Sequence, residues 1–174
     1  MKIYLLDINP AVIKAWNEKF SGIDGVEVVH SDFDSFMANY DVDCVVSPGN
    51  SHGVMAGGYD RALSEYFGWD LTNRVQAYIQ ENYEGQQPVG TSFIINTGVD
   101  GINLIHTPSM INPSRIKDSN VVADCTRSTL EVARQNNVQS IVIPAFGGAC
   151  GGLRPEVIAE KMYTAIKQFV ETIF

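Results

Sequence analysis

Apolar residues along this chain fall into short blocks whose spacing switches between two periods. Six blocks have strand length and are rich in β-branched and aliphatic residues: 2–7 (KIYLLD), 26–30 (VEVVH), 42–46 (VDCVV), 91–96 (TSFIIN), 102–107 (INLIHT) and 139–143 (QSIVI). Between them the period lengthens to that of a helix. Residues 10–20 place Ala11, Val12, Ala15, Trp16 and Phe20 at helical spacing, with Pro10 suited to a first turn. Further helices are predicted over 57–67, 70–83, 119–136 and 155–173, the last with Pro155 at its first position and Glu156 in its first turn. The block 42–46 is apolar enough for a strand buried on both faces. Gly98-Val99-Asp100-Gly101 joins 91–96 to 102–107 and predicts an antiparallel hairpin. Residues 108–118, with Pro108 and Pro113, read as a loop. Strands alternating with helices predict a three-layer α/β/α fold around a mixed, mostly parallel sheet, in which ligands bind at the carboxyl ends of the strands.

A chain of 174 residues without an internal repeat or linker reads as a single domain. Twelve basic against twenty acidic residues give a net charge of −8. Such a surface repels a phosphate backbone, so no nucleic-acid partner is expected, although a local cradle of backbone N–H groups still suits a small anion. No apolar run reaches the roughly 18–20 residues that span a bilayer, so no membrane partner is expected. Asp7 interrupts the first apolar stretch and no cleavage pattern follows, which points to the cytoplasm. Cys44, Cys125 and Cys150 are too scattered for a disulfide framework or a zinc site, and neither metal nor cofactor is expected.

Candidate chemistry concentrates in two loops. One runs from Ser47 to Asp60 and follows the strand 42–46; the other runs from Pro144 to Pro155 and follows 139–143. They hold Gly49, Gly53, Gly57, Gly58, Gly147, Gly148, Gly151 and Gly152, eight of the fifteen glycines. Two glycine-rich turns at strand ends, each entering a helix, suggest a diphosphate held between them. Neither turn is a P-loop, and no GxGxxG follows the first strand. Asp7-Ile8-Asn9-Pro10 and the later Val28 to Phe33 faintly suggest an S-adenosylmethionine-dependent methyltransferase, a reading weakened by the missing glycine turn.

The pair of loops resembles the macro domain, an ADP-ribose-binding family. Ser47-Pro48-Gly49-Asn50-Ser51 and Gly57-Gly58-Tyr59-Asp60 are similar to its first loop; Leu104 to Pro108 and Pro144 to Gly151 are similar to its Ile-His-Thr strand end and second loop. Ser31-Asp32-Phe33 is similar to its adenine-binding segment. The resemblance covers roughly 26–173 and leaves residues 1–25 as an N-terminal strand–helix elaboration. It implies that the Asp32 carboxylate and the Phe33 N–H meet adenine. It also implies that Gly49, Asn50, Ala56, Gly57, Gly58 and Tyr59 line the ligand with Ala145, Phe146, Gly147, Gly148, Ala149, Cys150 and Gly151. Asn50, His52 and Asp60 are the implied catalytic set. Asp60 is expected to stay ionised beside a helix N-terminus and to activate water at the ribose anomeric carbon. His106, inside an apolar strand, is expected to be a satisfied core histidine. Ser47, Ala56 and Cys150 depart from the family pattern, Cys150 replacing an aromatic residue that stacks on the distal ribose. The implied partner is ADP-ribose or an ADP-ribosylated substrate. The implied activity is hydrolysis at the distal ribose, of an attached protein group or a 1″-phosphate, with a non-catalytic ADP-ribose reader as the alternative.

Overall fold

The computed structural model describes residues 1–172. Six strands form one sheet in the order β2-β1-β6-β3-β5-β4. They are β1 (Lys2–Asp7), β2 (Val26–His30), β3 (Cys44–Ser47), β4 (Phe93–Asn96), β5 (Asn103–His106) and β6 (Ser140–Pro144). All neighbouring pairs are parallel except β4 and β5, which form the antiparallel hairpin that their glycine-containing join predicts. Six helices cover the faces: α1 (Pro10–Phe20), α2 (Phe33–Asn39), α3 (Gly58–Phe67), α4 (Asp70–Tyr83), α5 (Asn120–Gln135) and α6 (Pro155–Thr172). The predicted end of the last helix at residue 173 lies outside the described residues.

Alternation within the strands sorts the core into two halves. Cys44 and Val46 of β3 and Ile141 and Ile143 of β6 face α1, α5 and α6, where Trp16, Leu130 and Met162 pack. Val45 and Val142 face the other way, toward Phe36, Leu63, Leu71 and Val75 of α2, α3 and α4. The arrangement is the predicted α/β/α sandwich.

Two local details differ from the sequence pattern. β3 begins at Cys44 and runs on through Ser47, because Val42 is buried ahead of the ladder rather than paired in it. The sequence marks only the start of the short helix α2, at Asp32, and gives it no extent. Its seven residues are too few to establish a period, but its cap is legible: the Asp32 carboxylate accepts from the Ser35 N–H at 2.7 Å. β1 lies in the interior of the sheet, paired with β2 on one side and β6 on the other.

Candidate functional site

Five strands run parallel, so the connections that leave β2, β1, β6, β3 and β5 gather on one edge of the sheet. Both glycine-rich loops leave from the middle of that edge, on the adjacent strands β6 and β3. The other edge carries a polar cleft of about 330 Å³ lined by Asp43, Asn96 and Asn103, outside every predicted site residue.

The first loop is organised by Asn50. Its Oδ1 accepts from the N–H groups of His52 and Val54, each at 3.2 Å, and its Nδ2 donates to the Val54 carbonyl at 2.9 Å. The amide therefore spends most of its bonding capacity on the turn itself. The Ser51 N–H donates to the Met110 carbonyl at 2.9 Å, tying the loop to the segment after β5. His52 is half-buried, and its Nδ1 meets the Gly85 carbonyl at 3.2 Å, on the connection between α4 and β4. Ala56, Gly57 and Gly58 are exposed, and no side chain caps α3. The first-turn N–H groups of Gly58, Tyr59 and Asp60 lack intrahelical acceptors by the geometry of a helix start. They form a bare, partly positive end.

The second loop needs glycine at one point above all. Gly147 has φ +86°, and a Cβ there would lie 2.7 Å from Leu153 Cδ1. Gly148 has φ −77°, a conformation open to any residue, with ordinary contact distances around it. Ala149 adopts φ +50°, a strained value for a residue with a Cβ. A single 3₁₀ turn, Ala149–Gly151, leads on to α6. The Ile116 N–H donates to the Gly151 carbonyl at 2.9 Å, so the loop after β5 braces this one too. Cys150 is exposed, with Sγ 3.6 Å from Met110 Sδ. Phe146 is wholly buried among the residues of α1, α5 and α6, so its ring is not available to a ligand.

Beneath the first loop lies a buried polar cluster that the sequence shows only in part. Ser47 Oγ donates to Asp60 Oδ1 at 2.6 Å. Burial pushes the Asp60 carboxyl up to about 7, against the lowering effect of the Ser47 hydrogen bond. The expectation that Asp60 stays ionised fails here because loss of hydration outweighs the helix end. Across Gly49 sits His106, fully buried; a Cβ at Gly49 would lie 2.6 Å from its Nε2 and 3.2 Å from Asp60 Oδ2. His106 Nδ1–H donates to Gln87 Oε1 at 2.6 Å, and Gln87 Nε2 donates to the carbonyls of Thr91 and His106. Burial holds His106 down at about 3, so the ring is neutral. Because Gln87 Oε1 only accepts, the proton sits on Nδ1, and Nε2 is a buried acceptor with no partner. His106 is thus a core histidine satisfied on one side only. Gln87 carries no sequence signal that marks it, since it lies in a connection between helix and strand.

Asp32 and Phe33 stand at the end of β2. Asp32 is exposed, and its bonds from the Ser35 N–H and Oγ hold its carboxyl below the usual range. The Phe33 ring is buried against Tyr59 and Tyr66, edge to face, and its backbone N–H lies in the first turn of α2, where no intrahelical acceptor is available. Tyr59 is half-buried; its hydroxyl is enclosed and unpartnered, and its phenol is pushed up by burial and by the neighbouring Asp60 and Asp7. The edge therefore brings together both glycine loops, Asp32 and the Phe33 N–H. It places the side chains of Asp60 and Phe146 below the surface and ties His52 to an outer connection.

Among the described residues no group of three or more His, Cys, Asp or Glu side chains could hold a metal ion, and no helix is long and apolar enough to cross a membrane. The family model of the Macro domain matches residues 46–162, and the chain belongs to that family. An uncharacterised protein of Aquifex aeolicus (strain VF5) is 28% identical over 130 residues, covering 74% of this chain and 75% of its own. The fold is similar to the macrodomain of Mycobacterium tuberculosis DarG, with TM-score 0.65 and 20% identity over 75% of this chain and 85% of that one. It is also similar to the Oceanobacillus iheyensis macrodomain solved with ADP, with TM-score 0.67 and 22% identity over 75% of this chain and 70% of that one. A glycine-to-valine variant of the latter, solved with ADPR, gives the same TM-score of 0.67 at 20% identity, over 78% of this chain and 74% of that one. β1, α1, β2 and α2 precede the matched stretch.

Proposed function

We propose that this chain binds ADP-ribose along the carboxyl edge of its sheet. One observation carries the reading: two glycine-rich turns leave the adjacent parallel strands β6 and β3 side by side, one of them entering the uncapped N-terminus of α3. Backbone N–H groups presented in this way suit a diphosphate without any cationic side chain. Adenine lies at the β2 end, accepted by Asp32 and met by the Phe33 N–H. The distal ribose lies toward Asn50 and Cys150. The 174 residues act as one unit, and the net charge of −8 argues for a small ligand over a nucleic-acid backbone. Three free cysteines suit a reducing compartment such as the cytoplasm.

A second reading, hydrolysis at the distal ribose, is favoured by Asp60, whose carboxyl titrates near neutrality as a proton-transfer group should. Against it, Asp60 is only 8% exposed and engaged by Ser47, and the Asn50 amide is engaged by its own loop. Calorimetry with ADP-ribose and AMP tests the binding, and ADP-ribose is expected to bind more tightly because it fills both loops. Equal affinities would defeat the two-loop reading. Turnover of ADP-ribose-1″-phosphate or of ADP-ribosylated protein separates the enzyme from the reader.

A further inference from the structure

β1 and the turn after it precede the stretch matched by the family, yet the sheet order puts that turn in the middle of the ligand edge. Asp7 is paired with His30 of β2, and Leu6 with Pro144 of β6. Ile8 therefore stands one strand away, about 5 Å, from both the Ser31–Phe33 segment and the start of the second glycine loop. It is 68% exposed, the highest value among the large hydrophobic residues described. A scattered surface isoleucine needs no explanation, but this one is held. His30 Nε2 donates to the Ile8 carbonyl at 3.0 Å, the Asn9 N–H donates to Asp7 Oδ1 at 2.8 Å, and Asn9 Oδ1 caps α1 through the Ala11 N–H at 2.9 Å. Each backbone neighbour of Ile8 is thus fixed, while its side chain is left in solvent.

We infer that Ile8 is the apolar platform on which the nucleobase of the bound nucleotide lies, so that the N-terminal strand–helix unit supplies part of the base subsite. This rests on the ADP-ribose reading. A base lying along the edge between Asp32 and Ala145 crosses the end of β1, and the side chain available there is Ile8. An aliphatic side chain covers the face of any base and hydrogen-bonds to none. Ile8 thus supplies affinity, while Asp32 and the Phe33 N–H select the base by its edge.

Calorimetry on wild type, Ile8→Asn, Ile8→Phe and Val99→Asn, with ADP-ribose, AMP and pyrophosphate, tests the assignment. Val99 is another exposed apolar residue, in the β4–β5 turn on the far edge of the sheet. Ile8→Asn is expected to weaken ADP-ribose and AMP by the same factor, about tenfold, in line with losing the apolar cover of one aliphatic side chain. Its competition by pyrophosphate and its melting temperature should not change. Ile8→Phe should bind both nucleotides at least as tightly as wild type, and Val99→Asn should match wild type. The assignment is overturned if Ile8→Asn binds ADP-ribose within twofold of wild type, or if pyrophosphate weakens by the same factor as the nucleotides. A wild type that binds neither nucleotide overturns the ADP-ribose reading itself, and the platform with it.

Discussion

Replacing Asp60 by Asn should stabilise this protein, and by an amount set by pH. The folded carboxyl keeps its proton up to about 7, whereas in the unfolded chain it loses it near 3.8, as an ordinary aspartate does. Between those values the folded state holds the extra proton, so stability falls as pH rises. Each pH unit is worth about 1.4 kcal/mol, and the shift of roughly three units amounts to about 4 kcal/mol once Asp60 is fully ionised above pH 7. Asparagine cannot ionise, and its carbonyl oxygen can still accept from Ser47. The stability difference between Asp60→Asn and wild type should therefore be near zero at pH 4 and climb to about 4 kcal/mol at pH 8, of order 10 °C in Tm for a domain of this size. His106 complicates the wild-type curve in the opposite sense. Its folded value of about 3 lies below its unfolded 6.5, so it removes stability as pH falls through that window. Over roughly pH 4–6.5 the two slopes cancel, leaving wild type nearly flat, while Asp60→Asn should show the bare histidine slope. Urea unfolding of both proteins at half-unit pH steps measures the difference directly. A variant less stable than wild type at pH 8, or a difference that does not change between pH 4 and 8, would refute the claim that burial governs this carboxyl.

The remaining predictions concern the loops and caps. If the diphosphate lies over the first loop, ADP-ribose affinity of wild type should fall between pH 6.5 and 8.5 as Asp60 ionises beneath it; calorimetry should find no such fall in Asp60→Asn. Gly147→Ala should cost about 1–3 kcal/mol of stability through its positive φ and close contacts, whereas Gly148→Ala should leave the melting temperature within about 2 °C. Gln87→Leu should cost about 1–3 kcal/mol by leaving His106 Nδ1–H buried without an acceptor, which denaturant unfolding will show. Asp32→Ala should lower the melting temperature through loss of the α2 cap and should also weaken AMP, while Ser35→Ala, which keeps the capping carboxylate, should not weaken AMP.

Much of the architecture is legible because its signals are local. Pro10 and Pro155 open helices where a missing N–H costs nothing, and the paired glycines at 98 and 101 close a hairpin. The two glycine turns of the candidate site are legible for the same reason, since glycine runs after strands mark tight strand-to-helix turns. What the sequence conceals is non-local. That Gly49 lies against His106, or that Asp60 is sealed under Ser47, depends on β3 and β5 pairing at Ser47 and His106. The charge state of Asp60 follows from that burial, and reading it from its place on a helix alone reverses the sign. Phe33 and Phe146 look like site residues by position, but their rings belong to the two halves of the core. Of α2 only the start at Asp32 is legible, because fewer than two turns show no period.

The placement of β1 bears on how the molecule is made. Its second partner, β6, is the last of the six described strands to leave the ribosome. At typical synthesis rates of 5–20 residues per second, that partner arrives roughly 7–30 s after β1 itself. Through that interval the apolar strand carries one unpaired row of backbone groups, with β2 the only neighbour available nearby in sequence. Contacts of such long range slow the final closure, and an open edge invites pairing with another nascent chain. Both glycine turns come to stand side by side only when β6 inserts between β1 and β3. The nascent protein therefore acquires its ligand edge and loses its aggregation-prone edge in the same event.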